Sequence, residues 1–285
     1  LGKRRSGFRT AVQTGFTALT NGYVIGFLQG KIYPGQLKSI CVPGLNCYSC
    51  PGALGACPVG ALQSVLTSRT FDFSYYVVGF LLMVGALGGR FVCGWLCPFG
   101  LIQDLLYKIP FVKKLRKLPG DKYLRYLRYA VLAVFVLLLP LLVRDIVGQG
   151  KPWFCTYICP SGTLTAGIPL VLMNPALQSA AGILFNWKLL VLLAVVLLSV
   201  LTYRPFCRYL CPLGAIYAPF NKFALYRYEI DKKACTGCKA CQKACKLDIP
   251  VYEAPNSADC IRCGDCRRAC PASCIQTTIG RNRRR

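Results

Sequence analysis

Two stretches of this chain are too long and too apolar to be left in water. Tyr126 to Val143 reads YLRYAVLAVFVLLLPLLV, and Leu184 to Leu201 contains NWKLLVLLAVVLLSVL. A helix needs roughly 20 residues to cross a bilayer, and both runs come close to that length. Two weaker candidates precede them, about Ala11 to Gly30 and Phe73 to Gly89. The first is diluted by Gln13, Thr14, Thr17, Thr20 and Asn21, yet Gly22, Gly26 and Gly30 recur at the four-residue spacing that lets another helix approach. Arg4 and Arg5 ahead of it read as a basic anchor rather than a cleaved signal. The expected fold is an all-α polytopic membrane domain with about four transmembrane helices. The apolar piece Leu164 to Met173, broken by Pro169, is too short to span and is expected to be re-entrant or interfacial.

Charge adds a direction to these spans. There are 35 Lys and Arg against 10 Asp and Glu, a formal charge of +25, in a chain that is 54% hydrophobic. That combination excludes both a disordered basic tail and a simple soluble globule. With four spans, only Lys31, Lys38, Arg69, Arg144, Lys151 and Lys188 fall on the side opposite the N-terminus. The positive-inside rule then places the N-terminus and everything after Arg204 in the cytoplasm, in an integral protein of the inner membrane. The excess charge flanks spans and cysteine clusters instead of one amphipathic face, so no nucleic acid is expected. Lipid headgroups and an acidic redox partner are the expected counterparts.

Histidine is absent, whereas cysteine occurs 19 times. His-ligated haem, His-bearing zinc or copper sites and His-activated nucleophiles are thereby excluded. Thiolate remains. From Cys235 the chain reads CTGCKACQKAC, and from Cys260 it reads CIRCGDCRRACP. Both are C-x2-C-x2-C-x3-C, in which three thiolates wrap one 4Fe-4S cubane and the fourth reaches a second one. Cys235, Cys238, Cys241 and Cys270 are assigned to one cluster, and Cys260, Cys263, Cys266 and Cys245 to the other. A zinc site would need four ligands, not eight in duplicate. Residues 229–285 are expected to form a small α+β ferredoxin domain with two clusters and a basic tail, leaving Cys274 over as a buried thiol.

Two further motifs follow the second and fourth spans. Cys93-Gly-Trp-Leu-Cys97-Pro98 and Cys207-Arg-Tyr-Leu-Cys211-Pro212 are each preceded by an arginine (Arg90, Arg204) and followed by a glycine (Gly100, Gly214). The repeat divides the membrane part into halves, 1–122 and 123–228, expected to be parallel pseudo-repeats about an axis along the membrane normal. Cysteine pairs at equal depth about such an axis supply four thiolates. Cys93, Cys97, Cys207 and Cys211 are therefore expected to hold a third 4Fe-4S cluster on the cytoplasmic side. On the other face, Cys155 and Cys159 are expected to be joined by two of Cys47, Cys50 and Cys57 around a fourth. CPVGAL after Cys57 resembles CPSGTL after Cys159. Disulfides (Cys41 with Cys57, Cys47 with Cys50) or a dithiol relay compete with that reading. Gly79, Gly85, Gly88 and Gly89 are expected to let the two cluster sites approach across a hydrocarbon core of ~30 Å.

The C-x3-C-P motifs and the paired ferredoxin spacings together resemble the membrane-bound polyferredoxin family, the NapH- and NosR-like 4Fe-4S membrane proteins. The resemblance covers most of the chain from the second span onward. It implies a membrane electron-transfer subunit of a larger complex, passing electrons between a cytoplasmic donor and an extracytoplasmic acceptor without a catalytic acid or base. Two rivals stay open. A quinol dehydrogenase would meet quinone near the C-x3-C-P motifs, with Trp95, Trp153 and Tyr157 lining a pocket and Asp104 as the candidate acid. A thiol-based copper reductase or maturation protein would use the far-side thiols, because soft thiolates suit Cu(I).

Overall fold

The structure, a computed structural model, describes residues 2–68, 75–110, 114–146 and 148–279. It is mostly helical. Among the described residues the sheet is a two-stranded one, Tyr228–Ile230 antiparallel to Ile275–Thr277 with Glu229 opposite Gln276. Two helices are long and apolar enough to cross a membrane, Asp121–Leu142 and Ile183–Leu201. They correspond to the two strongest apolar runs.

The two weaker runs come out differently. The second is a helix over Tyr75–Gly88, 14 residues, while Phe73 at its expected start lies outside the described residues. The first is broken: one helix covers Gly2–Thr20 and another Val24–Gln29. Side-chain hydrogen bonds explain the break. The Thr20 hydroxyl donates to the Phe16 carbonyl at 2.9 Å and the Asn21 amide to the Thr17 carbonyl at 3.1 Å, which caps the helix locally. The chain then leaves the helix axis, and the Tyr23 N–H donates to the Gly52 carbonyl at 3.1 Å. Leu164 to Met173 belongs to a continuous short apolar helix, Pro160–Met173, packed against Ile183–Leu201.

Within Asp121–Leu142 the winding loosens to π geometry over Leu132–Leu138. Pro140 supplies the cause, since it has no N–H and its ring crowds the carbonyl four residues back. In the five-back register of this stretch the Phe135 carbonyl would need the N–H that Pro140 lacks, and it accepts from the Gln63 amide at 2.9 Å. Gln63 is completely buried, and its oxygen accepts the Cys155 N–H at 3.3 Å. A proline in this long apolar helix is thus linked, through Gln63, to the backbone of a cysteine.

The C-terminal cysteine region is bolted to the helices. Asn221 donates to the carbonyls of Ser257 (2.8 Å) and Cys260 (2.9 Å). Arg262 donates to the carbonyls of Gly88 (2.7 Å) and Asn221 (2.8 Å), and the Trp95 indole donates to the Arg262 carbonyl at 3.0 Å. Asp259 receives Arg125 and Arg128, each at 2.6 Å. At the closest point Gly94 lies so near the Ile261 carbonyl that no side chain fits between them.

Candidate functional site

The two ferredoxin-type motifs share one backbone path. Gly237, Lys239 and Asp248 have positive φ, and Arg262, Gly264 and Ser273 repeat it at the same offsets from the first cysteine of each motif. Only two of the six are glycine. Holding the other four left-handed costs on the order of 1 kcal/mol each, a strain that persists where the surroundings require the chain to wrap something. Cys235, Cys238, Cys241 and Cys270 line one pocket as expected from spacing, and the leftover Cys274 joins them, its Sγ 3.3 Å from that of Cys270. Cys245 lies close to Cys260 and Cys266, and Cys263 to both of those. The crossed pairing of each fourth cysteine with the other motif is thus present in the packing.

Cys93, Cys97, Cys207 and Cys211, here the near quartet, are all buried at 3–5% exposure and face one another. Their turns are alike. The N–H of Cys97 reaches the Val92 carbonyl (3.1 Å) and that of Cys211 the Phe206 carbonyl (2.9 Å), five residues back in each case. A proline then opens the next helix at the position where its missing N–H costs nothing. The halves exchange arginines. Arg90 donates to the Cys207 carbonyl at 2.8 Å, and Arg204 donates to the Cys93 carbonyl. Glycine on the next helix of each half leaves room for these guanidinium groups: a Cβ at Gly100 would stand 3.1 Å from Arg204 and one at Gly214 3.1 Å from Arg90. Gln103 donates to the Cys207 sulfur at 3.1 Å.

On the other face the packing selects among the competing thiols. Cys155 and Cys159 are joined by Cys47 and Cys57, forming the far quartet. Cys50 packs beside Cys47 with Ala53 and Ala166, is not among the thiols that act on Cys57, Cys155 and Cys159, and points toward the Asn21 side chain. All 19 cysteines are free thiols, so neither of the disulfides considered from sequence forms. A cavity of about 820 Å³ opens over Cys47, Cys57, Cys155 and Cys159, with Lys38 and Lys188 at its walls. The turn of the near quartet recurs here, since the Cys159 N–H reaches the Phe154 carbonyl at 3.0 Å. Four Cys-Pro-x-Gly steps therefore begin four helices, at Cys57, Cys97, Cys159 and Cys211. In each the glycine N–H points back at the cysteine sulfur, at 3.4 Å for Gly162 and Gly214. A helix N-terminus and an N–H on sulfur both favour thiolate.

Electrostatics points the same way. Among the described residues Arg9, Arg90, Arg128, Arg204, Arg208 and Arg262 are buried, against the buried carboxylates Asp104, Asp121 and Asp259. Buried cations need anions, and the thiols are the remaining acidic groups beside them. Without a cation, burial followed by the neighbouring Cys97 pushes the Cys207 thiol up to about 12, and burial pushes Cys57 up to about 11. No three Cys, Asp or Glu side chains among the described residues converge tightly enough to hold one metal ion. A single zinc draws its sulfurs to about 2.3 Å from one centre, whereas a cubane keeps its thiolates on separate irons. The donor sets suit a cluster better than an ion.

Several other expectations are corrected. Asp104 is no free acid, since Arg204 grips both its oxygens at 2.7 and 2.6 Å and Arg9 adds a bond at 2.9 Å. Burial alone would raise its carboxyl; the two arginines hold it below the usual range. Trp95 is stacked on Phe91 and its indole N–H is taken up by the Arg262 carbonyl. Trp153 stacks on Tyr157 with centroids 5.1 Å apart. At helix Tyr75–Gly88 and the residue after it, Gly85 packs against Phe220 and Gly89 against Asn221, while Gly79 faces open space and Gly88 only Phe91. What brings the two quartets together is the loop before Cys47. Gly44 packs on Cys97, the Leu45 N–H faces the Cys97 sulfur, and the Asn46 N–H faces that of Cys57.

Thiol quartets on Cys-Pro-x-Gly turns beside a duplicated ferredoxin motif define the class: a 4Fe-4S electron-transport protein of the ferredoxin type. A family model described as a 4Fe-4S binding domain matches residues 73–119, 127–171 and 187–227. Each match contains one C-x3-C-P turn. The uncharacterized protein MJ0750 of Methanocaldococcus jannaschii is 33% identical over 64% of this chain and 69% of its own length. The methylamine utilization ferredoxin-type protein MauN of Methylobacillus flagellatus is 31% identical over 66% of the chain and 60% of MauN. The ferredoxin-type protein NapH of Haemophilus influenzae is 27% identical over 67% of the chain and 62% of NapH. The chain belongs to this ferredoxin-type 4Fe-4S family, although it spans less than two thirds of the length of most of these relatives. No solved structure matches.

Proposed function

We propose that this chain is an integral membrane subunit that conducts electrons between a cytoplasmic donor and an extracytoplasmic acceptor within a larger complex. In this reading it has four transmembrane helices in two parallel pseudo-repeats (1–122 and 123–228), and 229–285 lies on the cytoplasmic side. Its cofactors are four 4Fe-4S clusters. The near and far quartets hold one each, and the ferredoxin-type motifs hold two, with Cys274 as a non-ligand. When bound, the clusters supply the one-electron chemistry; the chain's part is to hold, space and insulate them.

The observation that carries the reading is the serial packing of the four thiol sets. Cys238 is exposed, with exposed Lys232, Lys233, Lys239 and Lys243 around its loop, a face that fits an acidic carrier. The loop bearing Cys260 is pinned to the turn bearing Cys93 by Asn221, Arg262 and the absence of a side chain at Gly94. From Cys97 the segment Gly44–Asn46 leads to Cys47 and Cys57. The direction of flow is set by partner potentials. A quinol dehydrogenase loses support here, because Asp104 is held as a paired carboxylate.

Anaerobically purified protein should carry about 16 iron per chain, with four EPR-distinguishable centres on reduction. Cys57→Ser should remove about 4 of these, and Cys50→Ser none. A wild-type content of about 8 iron, leaving the quartets as thiols, would refute the proposal and favour copper or dithiol chemistry on the far side.

A further inference from the structure

The two halves treat the near quartet almost alike, and one difference between them assigns a role. Gln103 lies six residues after Cys97, and Tyr217 lies six residues after Cys211. Gln103 reaches across to the other half: its amide donates to the Cys207 sulfur, and its oxygen accepts the Phe206 N–H at 3.2 Å. The same crossing relates Arg90 to Cys207 and Arg204 to Cys93. Applied to Tyr217, it directs that side chain at Cys93.

The surroundings of Tyr217 agree. Its side chain is completely buried, and its hydroxyl has no hydrogen-bond partner among the described residues. A buried hydroxyl left without a partner is costly, so one is expected to be supplied. Cys93, Cys97, Cys57 and Cys41 are all close enough to act on Tyr217 electrostatically. It is therefore a buried aromatic side chain near thiols of both quartets.

We propose that Tyr217 donates its hydroxyl hydrogen to the Cys93 sulfur once iron is bound, as the counterpart of Gln103 on Cys207. The pair thereby tunes the reduction potential of the near site. The inference rests on the cluster reading above. A hydrogen bond to a ligating sulfur stabilises the extra negative charge of the reduced state and raises the potential. The tyrosine keeps its electrons; it acts as a positioning residue through sulfur.

Potentiometric EPR titration of Tyr217→Phe tests this. The near signal, identified as the one lost in Cys97→Ser, should keep its iron while its midpoint falls. Reduction should become about tenfold less favourable, about 59 mV for a one-electron couple. Gln103→Met should move the same signal in the same direction. Pulsed ENDOR provides a second readout, since the wild-type near signal should show one more exchangeable proton than Tyr217→Phe. An intact near signal with an unmoved midpoint and an unchanged proton count overturns the role of Tyr217 alone. Absence of that signal from the wild type overturns the cluster reading as well, so the two failures are told apart.

Discussion

Serine at Cys97 is expected to remove one low-temperature EPR signal and about 4 iron per chain, and serine at Cys211 is expected to remove that same signal and the same iron. The two positions are far apart in sequence and belong to different halves. They fail together because the near quartet is assembled from both. Cys97 and Cys211 each close a turn whose N–H reaches five residues back, and each half clamps the other through Arg90 or Arg204. Serine keeps the shape of the turn but offers iron a poor ligand, so the loss reports ligation and not unfolding. Iron analysis beside the spectra makes the check quantitative. If the two variants lost different signals, or neither lost iron, a shared site between the halves would be untenable.

The second large effect concerns charge. Asp104→Asn should destabilise the protein by about 3–5 kcal/mol, because Arg204 and Arg9 are then left buried beside a neutral amide. On a chain of this size, that corresponds to a fall in Tm on the order of 10 °C. Thermal unfolding in detergent measures it. Combining Asp104→Asn with Arg9→Gln, which removes a charge from each side, should recover part of the loss. The wild type should show the same dependence on acid. Arg204 and Arg9 hold the Asp104 carboxyl below its ordinary range. The stabilisation is therefore complete above the pKa of an unfolded aspartate and drains away as the pH falls through the lowered value. An Asp104→Asn variant as stable as the parent would show that the thiol sets, and not this carboxylate, balance the two guanidinium groups.

How much of this was legible in the sequence depends on how local the signal is. The ferredoxin-type sets could be read from spacing because three of the four cysteines in each lie on one short stretch and the fourth sits at a fixed offset in the other motif. The near quartet needed only the repeat of Arg90 and Arg204 before the C-x3-C-P motifs. Among Cys47, Cys50 and Cys57, by contrast, spacing could not choose. Cys57 carries the Pro58-x-Gly60 signature of the other helix-opening cysteines, a clue that could have singled it out. Cys47 owes its place to a loop packed on Cys97, which is a tertiary fact. Gln103 and Tyr217 escaped notice because equivalent positions hold an amide in one half and a phenol in the other. The break after Thr20 was hidden for another reason: hydropathy averages over a window and does not register the side-chain bonds of Thr20 and Asn21 that end the helix.

The docking of Cys260 and its neighbours onto the turn at Gly94 constrains how the protein is built. Ile261 and Arg262 roof over a set of thiols already sealed by the surrounding helices. In the cluster reading proposed above, iron has to reach the near quartet before Ile261 and Arg262 seat over the turn at Gly94, so the interior site fills ahead of the docking that covers it.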